Sequence, residues 1–94
     1  MTSIPDNYAR VLFDLHIDSG DIETARVLLT ESEELTEALT SPIVSKSEKR
    51  AVIDKLFPES TRNFFKIMSD YGDVEYAEDM FSAYDALVLD DRNA

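Results

Sequence analysis

The chain has no cysteine and no tryptophan, a single histidine, two glycines and three prolines among its 94 residues. Without cysteine there is no disulfide framework, no thiol nucleophile and no thiolate-ligated metal or cluster. One histidine, His16, leaves no His-rich metal site. Cations are scarce as well: 9 Lys and Arg stand against 20 Asp and Glu, a formal net charge of −11. Broad nucleic-acid binding rests on cations that neutralise phosphates, so this balance excludes it, and it excludes an anionic membrane surface for the same reason. No apolar run approaches the ~20 residues of a membrane span, so no direct membrane insertion is expected. The opening Met1-Thr2-Ser3-Ile4-Pro5-Asp6 lacks the basic and apolar regions of a signal peptide and is not Arg-rich like a transit peptide.

What is present is a 44% hydrophobic and 31% charged composition, that of a globular domain rather than a disordered tail. The length suits one compact domain with a thin core. The few glycines and prolines fall where helices should start or stop. A first helix is predicted from Pro5 to about Ser19, capped by Ser3, with Gly20 as its left-handed stop. Asp21 is the expected cap of a second helix carrying Ile22, Ala25, Leu28 and Leu29 inward. Ser32 should cap a third, with Leu35, Ala38 and Leu39 inward, broken at Ser41-Pro42. Ser45-Lys46-Ser47-Glu48 has the pattern of a capping box and opens a fourth, with Val52, Ile53, Leu56 and Phe57 as its buried stripe and Pro58 as its stop. A fifth runs from about Ser60 to Tyr71 and stops at Gly72; Asp73 then caps a sixth, whose apolar positions are Ala77, Met80, Phe81, Tyr84, Leu87 and Val88. No segment alternates as a strand. The fold class is all-α, a six-helix bundle with short, mostly antiparallel connections. Residues 1–89 form its single domain, and 90–94 are a polar tail or the start of a linker.

The chemistry of catalysis is poorly represented. Asp14 and Asp18, four apart on the predicted first helix, have no catalytic companion and read as an exposed acidic face. There is no nucleophile elbow and no Gly-rich phosphate loop. His16, between Leu15 and Ile17, reads as a partly buried, hydrogen-bonded histidine rather than a ligand or base. Asp18-Ser19-Gly20-Asp21 echoes Asp70-Tyr71-Gly72-Asp73; both read as glycine stops followed by an Asp cap rather than as calcium loops, which need about twelve residues with alternating ligands. No catalytic residue, metal ligand or cofactor is expected.

The apolar residues are more telling. Tyr8, Ala9, Val11, Leu12, Phe13, Leu15 and Ile17 spread over roughly 240° of the first helix at 100° per residue. Phe64, Phe65, Ile67, Met68 and Tyr71 cover roughly 160° of the fifth. A surface helix of a bundle needs a stripe of little more than 100°. Either these helices are central and buried nearly all round, or part of each faces an external partner; an amphipathic helix fits a groove of that kind.

Tyr8-Ala9-Arg10-Val11-Leu12-Phe13-Asp14-Leu15 resembles the opening helix of the δ subunit of F-type ATP synthases, the oligomycin-sensitivity-conferring protein of mitochondria. The resemblance continues in order through Leu39-Thr40-Ser41-Pro42-Ile43-Val44, Glu48-Lys49-Arg50, Leu56-Phe57, Asn63-Phe64-Phe65-Lys66-Ile67-Met68 and Tyr71-Gly72, from about Pro5 to Val88. After Gly72 many relatives carry a basic residue and leucine where this chain has Asp73-Val74.

The resemblance implies the family's N-terminal domain, a six-helix bundle on top of the catalytic head. Its first and fifth helices form a groove for the N-terminal helix of an α subunit. Carried over by position, the groove residues are Tyr8, Val11, Leu12, Leu15, Phe64, Ile67, Met68 and Tyr71, with Leu12 shared with the core and Ala9 and Phe13 assigned to packing. The implied role is mechanical: a non-catalytic stator subunit that keeps the head from turning with the rotor, without a cofactor. The family's second domain is expected to be absent, and the rest of the stator would be reached through it. The implied location is the cytoplasmic face of a bacterial cell membrane, as a peripheral part of the synthase. The alternatives are an acidic helical adaptor or nucleic-acid mimic acting through its carboxylates, and a small hydrolase.

Overall fold

A computed structural model describes residues 3–93. Its elements are α1 (Ile4–Asp14), α2 (Ser19–Glu31), α3 (Glu33–Thr40), α4 (Lys46–Leu56), α5 (Glu59–Asp70), a 3₁₀ turn (Val74–Tyr76) and α6 (Ala77–Asn93). The architecture is the all-α, six-helix bundle expected, with no strand among the described residues.

Three serine caps form as the sequence predicts. Ser3 Oγ accepts from the Asp6 N–H (3.3 Å), Ser32 Oγ from Leu35 N–H (3.3 Å) and Ser45 Oγ from Glu48 N–H (3.2 Å). Each satisfies one donor that the first turn of a helix leaves without a partner. The stop after α5 also forms. Gly72 has φ +73°, its N–H donates to Ser69 O (3.0 Å), and the Asp73 N–H reaches back to Met68 O (2.9 Å). This is the paired closure of a helix end that needs a left-handed residue.

The first junction differs from expectation. α1 ends at Asp14 rather than near Ser19, and the left-handed residue is His16 (φ +53°), not Gly20. The reason is the cap on the next helix. The Asp18 carboxylate accepts from the Gly20 N–H (3.0 Å), so α2 starts at Ser19, Gly20 lies inside its first turn, and Asp18 replaces Asp21 as the cap. The reversal must then be made earlier, and His tolerates the left-handed region better than the β-branched Ile17 beside it. His16 is consequently exposed rather than partly buried, and Asp14 and Asp18 do not share a helix. Three smaller differences follow. Asp73 makes no side-chain cap, Leu56 is half exposed rather than buried, and Asp90 to Asn93 continue α6 as helix.

The core joins all six helices. Phe57, Phe65, Phe81, Leu12, Leu39, Ile53, Met68 and Met80 are fully enclosed. Phe65 stands at its centre, with ring centroids 5.0 Å from Phe57, 5.0 Å from Phe64 and 6.2 Å from Phe81. α1 lies along α6, and α4 lies along α5. Ion pairs Arg50–Asp70 and Lys66–Asp54 fix α4 and α5 as antiparallel, since the positions ascend on one helix as they descend on the other. Arg26 of α2 pairs with Asp85 of α6 (2.8 Å) and stacks 5.6 Å over the Phe81 ring.

Candidate functional site: the apolar face of α1 and α5

α1 and α5 meet through Tyr8. Its ring stands edge-on to Phe64, centroids 6.0 Å apart at 85°. Its hydroxyl donates to Asp73 Oδ2 at 2.6 Å, across 65 positions of sequence. Burial is the larger cause that lifts the Tyr8 hydroxyl far above its ordinary value, and the bond to Asp73 adds to it. The phenol therefore stays protonated and serves as a fixed strut.

The eight residues singled out by sequence divide sharply. Val11 (51% exposed), Leu15 (52%), Ile67 (52%) and Tyr71 (76%) are open to solvent, and Tyr8 is half-buried. Leu12 and Met68 are fully enclosed, and Phe64 is 6% exposed. The accessible surface is thus narrower than the sequence set: Val11, Leu15, Ile67 and Tyr71 around Tyr8, with Phe64 beneath. Leu12, Met68 and Phe64 face the core because each sits at the inward edge of its stripe, beside Ala9 and Phe65 respectively. The arc on α1 is also shorter than the sequence count. Ile17 lies beyond the left-handed His16 and packs against the core from outside the helix. Phe13 turns to Tyr84 of α6, a packing contact.

Such a face can bury apolar side chains of a partner. Among the described residues, no group of three His, Cys, Asp or Glu side chains is placed to hold a metal ion. Other hollows lie elsewhere on the described residues. One of about 250 Å³ sits among Leu29, Thr36, Val74 and Ala77 with Glu33, Glu75 and Glu78 around it. Another of about 370 Å³ lies between α1 and α6, lined by Asp6, Asn7, Arg10, Ala83, Ala86 and Leu87. Sequence reasoning missed Asp73 as part of the face. Its signal was position alone, one residue after the Gly72 stop, and nothing local names a partner 65 residues away.

No described helix is long and apolar enough to cross a membrane. The family model for the ATP synthase delta (OSCP) subunit matches residues 4–94. ATP synthase subunit delta of Clostridioides difficile (strain 630) is 29% identical over 102 residues, covering 96% of this chain and 56% of that protein. The subunit delta of Lactobacillus gasseri is 27% identical over 100 residues, covering 96% and 55%. That of Anaeromyxobacter sp. (strain K) is 36% identical over 63 residues, covering 60% and 35%. The chain spans about half the length of the first two relatives. No solved structure matches it significantly. With its six-helix architecture and a family match over all but its first three residues, the chain belongs to the ATP synthase delta (OSCP) subunit family.

Proposed function

We propose that this chain is a non-catalytic stator component of an F-type ATP synthase, and that its α1–α5 face receives the N-terminal helix of an α subunit. The observation that carries the reading is the cluster of exposed apolar side chains, Val11, Leu15, Ile67 and Tyr71, on two helices joined by Tyr8. A bundle this small gains nothing in its own core from leaving them open. An amphipathic helix laid between α1 and α5 would cover them, each Å² of apolar area contributing about 25 cal/mol before the cost of ordering the incoming segment. The work done is mechanical. The contact holds the catalytic head while the rotor turns, and it needs no cofactor and no titrating group. The chain is then a peripheral part of the synthase at the cytoplasmic face of a bacterial membrane. Contact with the rest of the stator belongs to the second domain of full-length relatives.

The test is an NMR titration with a synthetic peptide of the α-subunit N-terminus. Shifts should concentrate at Tyr8, Val11, Leu15, Ile67 and Tyr71. Shifts confined to α2 and α4 would refute the assignment of the face.

A further inference from the structure

The charges around this face are one-sided. α1 and α5 together carry three cations, Arg10, Arg62 and Lys66, and all three are turned away or engaged. Arg10 lines the hollow between α1 and α6. Arg62 Nε donates to Phe57 O at 2.9 Å. Lys66 pairs with Asp54 of α4. The carboxylates are distributed the other way. Asp14 is exposed, three positions after Val11 and next to Leu15. Asp70 adjoins Tyr71, and Asp73 holds Tyr8. Asp70 is matched by Arg50 at 2.6 Å and lies in the field of Lys46. Among the described residues, neither Asp14 nor Asp73 has an ion-pair partner, and Asp73 meets Tyr8 through only one of its two oxygens. The result, among the described residues, is an apolar strip with Asp14 and Asp73 on its rim and no cation of α1 or α5 turned toward it.

We propose that Asp14 and Asp73 select the docking helix by charge: it carries Lys or Arg on the flanks of its apolar stripe, one cation reaching each carboxylate. This rests on the groove reading above and adds to it the chemistry of the partner. At a half-exposed rim such pairs are modest in energy, strongest at low salt, and act more on choice and rate of association than on total affinity. Asp73 has a second role as a positioning residue, because its bond fixes the Tyr8 ring that α1 and α5 share.

The experiment uses two synthetic helical peptides with the same Leu and Ile stripe, one flanked by Lys and the other by Glu, titrated calorimetrically. At about 50 mM salt the Lys-flanked peptide should bind about tenfold tighter, and the preference should shrink to about twofold at 500 mM as the charges are screened. The double variant Asp14→Asn with Asp73→Asn should remove most of the preference, since Asn keeps an acceptor for Tyr8. A remote pair, Glu33→Gln with Glu37→Gln, should leave it intact. Equal affinities, or an unaltered preference in the Asp14/Asp73 variant, overturn the charge proposal. Ile67→Ser separates that failure from the other. If it weakens both peptides while they bind equally, the groove stands and only the charge selection falls. If neither peptide binds, or Ile67→Ser changes nothing, the groove reading falls and the charge proposal with it.

Discussion

Val11 and Leu12 are consecutive on α1, and Ile67 and Met68 are consecutive on α5, yet one member of each pair is half exposed and the other is enclosed completely. Hydrophobicity does not separate them. One residue is 100° of rotation on a helix, and both stripes straddle the edge of the core. The inner edge holds the bundle together; the outer edge is free for a partner. A stripe wider than a core requires therefore carries two functions side by side, and sequence shows the width without the dividing line.

Substitution along that line tests it. Met68→Ala should lower stability by about 2–5 kcal/mol in urea unfolding, because it leaves a cavity against Phe64 and Phe65. Ile67→Ala should cost less than about 1 kcal/mol, as its side chain is half in water already. Equal losses would erase the distinction between the two edges.

The two Asp-x-Gly-Asp segments give a second contrast at smaller scale. Gly72→Ala forces a side chain into a left-handed position and should cost about 1–2 kcal/mol by thermal or urea unfolding. Gly20→Ala lies in a helix, where the gain in helix propensity is set against a Cβ that would press at 2.9 Å on the Asp18 carboxylate capping α2, so the two effects oppose and the net change should stay within about 1 kcal/mol.

Tyr8→Phe keeps the ring contact with Phe64 but removes the bond to Asp73, for a loss of about 0.5–1.5 kcal/mol. It should also alter the alkaline limb. The native Tyr8 hydroxyl is held above its ordinary value of 10.0, so its contribution is complete below that pH and is lost as pH rises past it. Wild type should lose stability more steeply in that range than Tyr8→Phe.

The smallest effect belongs to the exposed Arg50–Asp70 pair. The hydrogen bond from Arg50 holds the Asp70 carboxyl below its ordinary range, so the stabilisation is present above that range and fades as pH falls through the native value. Arg50→Gln should flatten the acid limb of the stability profile slightly, with the middle of the curve nearly unmoved.

Much of the fold was legible because its signals are local. Ser3, Ser32, Ser45 and Gly72 act within four residues of themselves, and the apolar spacing of α2 to α6 is a property of each helix alone. The first junction was misread for an equally local reason. Asp18 and Asp21 are both good caps, and Gly20 suits either a stop or a first turn, so position in the segment does not choose between them. The choice fell to Asp18, whose carboxylate reaches the Gly20 N–H.

The sequence by itself determined the six helices, their order and the excess of apolar residues on the first and fifth. Only the tertiary structure decided which half of that surface stays open. It also brought Asp73 to Tyr8 and turned Arg10, Arg62 and Lys66 away from the face. The physical reason is range. Helix periodicity and capping are set by neighbours three or four positions apart, whereas exposure and charge pairing depend on which helix packs beside which, a property of the whole chain.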